Sequence, residues 1–388
     1  MTDIVDFAPV EVQREPILAR WWRTVDRVSL GAVLILVLIG LLLGHAASPP
    51  LAERNGLEPF HYVIRQAIFA GVGLAAIVVI SAMPLRWVRR CAILGFVGAF
   101  VALCLLPLFG TDYGKGAVRW FSLGFMSLQP SEFLKPGFAV FAAWLMAGTL
   151  DRDGPPGRLL SFAAMVIICL ILALQPDFGQ ASLVFGAWMV MAFIGGLPMW
   201  VILLLTGAAG LAGTIAYNAS EHVARRIDSF FHPVIEPTSQ LGYALTAIQD
   251  GGLFGVGIGA GEVKWRLPDA HTDYIIAVAA EEYGLTAILI LIALYLTIVL
   301  RALLRLQREK DAFARIAGAG LAALLAMQAF INLGVSARLL PEKGMTLPFV
   351  SYGGSSMLAA GITVGILLAL TRTRPQDDLG DVIEGARL

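Results

Sequence analysis

The feature that most limits what this chain can fold into is a recurring apolar stretch of about 20 residues, long enough as a helix to cross the roughly 30 Å hydrocarbon layer of a bilayer. Such stretches are read at 28–47, 62–83, 91–110, 132–150, 159–175, 179–196, 198–217, 273–300, 313–335 and 353–371. A backbone crossing lipid must bond its own N–H and C=O groups, so each stretch is expected to be a helix. Apolar residues make up 58% of the chain and charged residues only 14%. Soluble domains carry about 25% charged residues, so this chain could not cover a water-facing surface. The expected class is an all-α integral membrane protein with ten transmembrane helices.

The bias of arginine and lysine sets the orientation. Arg14, Arg20, Arg23 and Arg27 precede the first span, and Arg86, Arg89 and Arg90 follow the second. Arg152 and Arg158 follow the fourth, and Arg301, Arg305, Arg308, Lys310 and Arg315 follow the eighth, with Arg372 and Arg374 in the tail. All fall on one side of a ten-helix arrangement. Residues 1–27 and 372–388 are therefore expected in the cytoplasm, flanking a membrane domain over 28–371. The periplasmic stretches are then 48–61, 111–131, 218–272 and 336–352. The long one, 218–272, lies between helices 7 and 8. Its segments Phe230–Pro237 and Leu253–Gly261 mix aromatic, glycine and proline residues, which predicts short helices and turns lying on the membrane surface. A loop of that length without its own domain is more often functional than not.

Several classes fall away. The 28 basic and 28 acidic residues balance, which gives no reason to expect nucleic acid as a partner. Cys91, Cys104 and Cys169 lack CxxC spacing and read as small core residues, not metal ligands or disulfide partners. No A-x-A site follows the first apolar run, which reads as a retained signal anchor. No period of 20–50 residues suggests a solenoid, and no inverted repeat of the transporter kind is evident.

Ionisable groups at membrane depth are expensive and each needs a reason. The sixteen apolar-rich residues after Gly284 are short for a span, so the eighth helix is expected to include 274–284 and to place Asp273 near its N-terminus at the outer face. There the helix dipole favours a carboxylate. As a bland alternative Asp273 is a helix cap, with Thr272 as rival. Glu281 would lie about 12 Å deeper, at 1.5 Å per residue. Glu281 and Glu282 cannot both face the same way, and a structural role in the bundle is the favoured reading of both.

A second constellation is Gly116-Ala117-Val118-Arg119-Trp120, followed by Gln129-Pro130-Ser131-Glu132 and Lys135. Lys135 stands about one turn inside its span. It could snorkel to the interface or pair with an acid on another helix, for which Asp273 is a candidate. Trp120 also reads as an interfacial aromatic. Further polar strings are Gln175-Pro176-Asp177-Phe178-Gly179, Arg225-Arg226, and Leu340 through Ser356, whose glycines and prolines fix a compact turn. These features converge on the non-cytoplasmic face.

Taken together, these strings resemble the SEDS family (shape, elongation, division and sporulation). The resemblance rests on Gly116–Trp120 with Gln129–Glu132 and Lys135, on Gln175–Gly179, on Leu267-Pro268 through His271-Thr272-Asp273 with Glu281-Glu282, and on Pro348 through Ser356. Pro341–Pro348 looks more like the division branch than the elongation branch. Glu342 and Met345 depart from the more usual residues, and Tyr274 stands where Phe is common.

The resemblance implies a peptidoglycan glycosyltransferase of the bacterial inner membrane, polymerising lipid II at the division septum. It implies Asp273 as the essential aspartate, with Lys135 and Trp120 at functional positions. Arg119, Lys343 and Ser351 join these as expected substrate and pyrophosphate contacts, and Glu132, Gln129, Asp177, Glu281 and His271 as supporting residues. The α-linked donor gives a β-1,4 product, so one inverting step needs a base and no covalent nucleophile. No dedicated metal site is expected, only Mg²⁺ or Mn²⁺ brought with the lipid pyrophosphate. Implied partners are the class B penicillin-binding protein FtsI and the division proteins FtsQ, FtsL, FtsB and FtsN. The rival from another class is a lipid II flippase. That reading would place its key charges near the bilayer midplane, whereas here they gather at one face.

Overall fold

A computed structural model describes residues 16–111, 118–150, 154–219, 221–231, 239–267, 270–341 and 344–373. Gly116, Ala117, Pro268, Glu342 and Lys343 lie outside the described residues. In chain order the elements are α1 (Ile17–Thr24), α2 (Arg27–Ala47), α3 (Pro49–Arg54), α4 (His61–Ala82), α5 (Leu85–Phe109), β1 (Phe121–Ser122), β2 (Ser127–Leu128), α6 (Pro130–Gly148), α7 (Gly157–Leu174) and α8 (Phe178–Ile194). Then follow α9 (Met199–Ala219), α10 (Glu221–Phe231), α11 (Gln240–Gly251), a 3-10 turn at Val263–Trp265, α12 (Ile275–Leu306), α13 (Ala312–Ser336) and α14 (Gly354–Leu370).

Each apolar stretch read from the sequence falls on one helix except 273–300, which spans a break within α12. Among the described residues seven helices are long and apolar enough to cross a membrane: α2, α4, α5, α7, α9, α12 and α13. Helices α8 and α14 are shorter apolar helices, and α6 carries Glu132 and Lys135 in its first turns. Helix α5 begins at Leu85, ahead of the expected 91, because Val88 already packs into the core. The all-α expectation missed one element. Strands β1 and β2 form a two-stranded antiparallel hairpin, Phe121 opposite Leu128, turning through Gly124 at φ 78°. Two residues per strand leave too short an alternation to read in advance.

Helix α13 is the most enclosed of the seven apolar spans, with 67% of its central window buried, and packs against α6, α8, α12 and α14. Helices α4 and α14 meet through small residues: a Cβ on Gly361 would come 2.6 Å from the Gly73 carbonyl oxygen. Close backbone approach of this kind lets helices pack where lipid supplies no hydrophobic drive. Helix α9 stands apart, with none of its apolar window buried. An apolar groove of about 650 Å³ separates it from α7 and α8, lined by Met165, Phe185 and Ala212 among others.

One end of the bundle is tied by charge. Asp26 caps α2, accepting from the Val28 N–H at 3.3 Å and the Ser29 hydroxyl at 2.8 Å. Arg301 grips the same carboxylate with Nε at 2.9 Å and a terminal nitrogen at 2.9 Å, and Arg305 stands 3.3 Å away. Arg305 also donates to the Thr371 carbonyl, Arg372 to that of Ser81, and the Trp21 indole N–H to the Ser81 hydroxyl. The Thr373 N–H reaches the Thr24 carbonyl at 3.2 Å, so the two ends of the described chain meet on one side.

Burial alone would push the Asp26 carboxyl up. The hydrogen bonds from Arg301 and Ser29 and the charges of Arg305 and Arg301 outweigh it, and the pKa lies below its ordinary 3.8. A lowered carboxylate pKa stabilises the fold above the ordinary value, and this contribution fades as pH falls through the lowered one. Asp26→Ala is therefore expected to cost about 1–2 kcal/mol at neutral pH, from a lost cap and a partly solvated pair. Thermal unfolding in detergent should show the gap from wild type closing in acid. A constant gap at all pH values would mean that packing, not charge, sets the difference.

Helix α12 corrects one expectation. It runs on to Leu306 and is broken at Gly284, whose φ of 73° and ψ of −170° interrupt the helix. Residues 285–306 alone reach roughly 33 Å at 1.5 Å per residue, so 274–284 are not needed to complete a span. They form a separate half-helix, Ile275 to Tyr283, nearly all buried. Sixteen residues seemed short only because Arg301 and Arg305 were taken as the end. The pairing with Asp26 lets the helix continue past them. The long loop fills the break. The Val256 and Gly257 N–H groups donate to the Glu281 and Glu282 carbonyls at 2.8 and 3.2 Å. In return the Leu285 and Thr286 N–H groups donate to Gly252 and Leu253, at 2.9 and 3.2 Å. Four of the backbone groups freed at Gly284 thereby find partners.

Candidate functional site

Three polar clusters are built where α6, α8, α12, α13 and the connection from α13 to α14 meet. In the first, Pro130 occupies the first turn of α6, where its missing N–H costs nothing, and Glu132 and Lys135 follow one turn apart. Both are buried, at 4% and 3% exposure. Lys135 Nζ lies 2.9 Å from Glu132 Oε2 and donates to Gln328 Oε1 at 3.3 Å. The other Glu132 oxygen accepts from Gln180 Nε2 at 2.6 Å. Lys135 thus neither snorkels nor pairs with the candidate Asp273, but pairs with a carboxylate three residues away on its own helix. The space left beside it is about 10 Å³, near the lower limit for one water.

Asp177 caps α8, its carboxylate accepting from the Gln180 N–H at 3.4 Å, and Gln129 Nε2 approaches it at 3.5 Å. Arg119 donates to the carbonyls of Gln175 and Pro176 at 3.2 and 2.7 Å. This holds the α7–α8 turn against the strand-like segment in which Trp120 bridges to Thr111. The first cluster therefore joins Gln129, Glu132, Lys135, Asp177 and, at its rim, Arg119.

The second cluster surrounds the start of the α12 half-helix. Asp273 is half-buried, two residues ahead of Ile275. Its backbone carbonyl accepts from Asn332 Nδ2 at 3.3 Å, and the same nitrogen donates to the Met345 carbonyl at 2.5 Å. Ser351 Oγ donates to the Thr272 carbonyl at 2.6 Å and accepts from the Leu347 N–H at 2.9 Å. The Tyr352 N–H donates to the His271 carbonyl at 2.9 Å. The His271 ring packs against Tyr62 and Tyr352, with centroids at 5.7 and 5.5 Å. A Cβ on Gly344 would lie 3.5 Å from Asp273 Oδ2, so the chain following Lys343 runs beside this carboxylate. Asp273, His271 and Ser351 are brought together here. Lys343 itself lies outside the described residues.

Glu281 belongs to a third cluster. Its Oε1 accepts from the Glu262 and Val263 N–H groups at 2.7 and 3.0 Å, while Lys264 Nζ lies 2.5 Å from Glu282 Oε1. Adjacent on the helix, the two carboxylates nonetheless reach the same segment, because residues 262–264 wrap over the end of the half-helix.

Sequence reasoning missed Lys264, Gln328 and Asn332. The last two are amides four residues apart inside an apolar helix, the spacing that puts them on one face. That pattern was available as a signal. Among the described residues no group of three or more His, Cys, Asp or Glu side chains could hold a metal ion. The arrangement offers a half-buried carboxylate and, linked to it through α13, a buried ion pair, groups suited to proton transfer near an anionic ligand.

Known proteins share this architecture. The peptidoglycan glycosyltransferase FtsW of Caulobacter vibrioides is 42% identical over 361 residues, covering 92% of each chain. That of Allochromatium vinosum is 36% identical over 352 residues, covering 86% of each. A chain from a peptidoglycan synthase complex that coordinates polymerization and crosslinking superposes with a TM-score of 0.73 at 27% identity, over 89% of this chain and 97% of that one. The rod shape determining protein RodA of Thermus thermophilus gives a TM-score of 0.66 at 26% identity, over 90% and 97%. The sequence model for the cell cycle proteins FtsW, RodA and SpoVE matches residues 27–376. With nearly the whole membrane-embedded chain inside that match, the protein belongs to the FtsW/RodA/SpoVE family.

Proposed function

We propose that the protein is a peptidoglycan glycosyltransferase of the division branch, polymerising lipid II into glycan strands, with Asp273 as base. The observation that carries this reading is the placement of Asp273: half-buried, at the head of a buried half-helix, its own carbonyl anchored by Asn332. The acceptor's 4-hydroxyl oxygen attacks the donor's anomeric carbon as the bond to the pyrophosphate oxygen breaks. Configuration inverts, the hydroxyl proton passes to Asp273, and undecaprenyl pyrophosphate departs with the bonding pair.

Arg119, Lys135 and Lys343 would offset charge on the leaving group, with Trp120 and Ser351 contributing contacts and Mg²⁺ or Mn²⁺ arriving with the substrate. In the enclosed arrangement Lys135 is held by Glu132 and Gln328, so ligand binding has to open that cluster before the ammonium can meet a phosphate.

The same reading counts ten transmembrane helices, with both termini cytoplasmic and residues 218–272 in the periplasm. It takes a class B penicillin-binding protein as partner at the septum, with FtsQ, FtsL, FtsB and FtsN regulating the pair. Likeness to a chain of a peptidoglycan synthase complex supports the first of these partners. The test is strand synthesis from lipid II by the protein reconstituted with its cognate class B partner. Strands made by the wild type are the expected result. Movement of lipid II across the vesicle without any strands would replace the enzyme by a flippase.

A further inference from the structure

The ion pair on α6 and the aspartate before α12 touch one helix in common. Gln328 and Asn332 lie one turn apart on α13, the most enclosed apolar span. Gln328 accepts from Lys135 Nζ through Oε1 and donates through Nε2 to the Thr346 carbonyl, each at 3.3 Å. Asn332 donates to the carbonyls of Asp273 and Met345. Successive residues of the connection to α14, Met345 and Thr346, are thus held by successive rungs of α13. The same rungs hold Asp273 on one side and Lys135 on the other. Two carbonyl acceptors facing Asn332 Nδ2 also fix the orientation of its amide, since a flip would set oxygen against oxygen.

Resting on the reading above, we propose that Gln328 and Asn332 are positioning residues for the transfer reaction, setting the separation between the Asp273 base and the Lys135 ammonium. A bland alternative is that the two amides merely glue helices together, as polar side chains in membrane bundles do. Two observations favour the positioning role. Both amides bond groups that flank the reacting centre and not one another. Asn332 also leaves its Oδ1 buried without a partner among the described residues, a cost that a leucine of similar size would avoid. Neither residue touches the substrate in this scheme. They act through Lys135 and through the backbone at Asp273.

The two positions are expected to matter for rate more than for binding. A displacement of about 1 Å at a reacting group costs on the order of a hundredfold in rate, whereas an interaction made equally in ground and transition states changes KM alone. The test uses the full chain, reconstituted with its class B partner and assayed with lipid II, as wild type, Gln328→Met and Asn332→Leu. Each variant is expected to lower kcat by at least about tenfold. The lipid II concentration at half-maximal rate should stay within about twofold of wild type. The thermal midpoint should fall, because the carbonyls of Met345 and Thr346 lose their donors, so rates are compared per folded molecule.

Variants that turn over at the wild-type rate per folded molecule would reduce both amides to helix glue and overturn the inference. A raised KM at unchanged kcat would overturn it too, by making them binding residues. If Asn332→Leu does not fold, Gln328→Met decides alone, because Gln328 is only half-buried. Wild-type protein that makes no strands removes the reading beneath the inference and the inference with it. Active wild type beside equally active variants removes the inference alone.

Discussion

Asp273→Asn should leave a folded protein that binds its lipid substrate and polymerises it about 10²–10⁴ times more slowly, the usual worth of a positioned general base. Asparagine keeps the size of the side chain and its capacity to cap a helix, so the start of α12 should survive. The backbone bond from Asn332 is made to the carbonyl of residue 273 and is indifferent to the side chain. What the amide cannot do is take the proton from the attacking hydroxyl. Strand length and initial rate in reconstituted vesicles provide the measurement, with thermal unfolding as the control for folding. An asparagine variant that works at the wild-type rate would return Asp273 to the role of a cap, and the base would have to be another group.

The second large effect is expected at Lys135. Lys135→Met removes one member of a pair whose side chains are 4% and 5% exposed, leaving the Glu132 carboxylate buried with Gln180 as its one remaining hydrogen-bond partner among the described residues. Breaking a buried pair from one side costs about 3–5 kcal/mol, while replacing both members by neutral groups costs far less. The double variant Lys135→Met/Glu132→Gln should therefore recover much of the lost stability. It should not recover strand synthesis, because the positive charge is still missing. A double variant that regains activity along with stability would confine Lys135 to a structural role. A single variant as stable as wild type would contradict the enclosed ion pair itself.

Much of the architecture was legible because a bilayer imposes one length on every crossing helix, and 20-residue apolar runs announce it. The details that were not legible share a cause: they depend on what a residue meets, not on its spacing. Gly284 looks like an ordinary small residue within an apolar run. Only the partners at Gly252–Gly257 make a break there affordable. Asp273 was one candidate partner for Lys135 because both sit near one face, yet the nearer acid on its own helix, Glu132, was the simpler partner at helical spacing. Asp273, His271 and Ser351 were each marked by their strings, and the chain turn joining them confirms that the strings fold together. Gln328 and Asn332 were overlooked because attention went to charges, while an uncharged amide in lipid also needs a reason to be there.

The filled break in α12 has a mechanical consequence. Four backbone hydrogen bonds across Gly284, together with the grip of Glu281 and Glu282 on residues 262–264, splice the end of the long loop to the half-helix that follows Asp273. An ordinary surface loop absorbs a push or a pull by flexing at its ends. This one is bonded to α12 at Glu281–Thr286, so a load placed on residues 252–264 is delivered to the far end of the half-helix that begins beside Asp273.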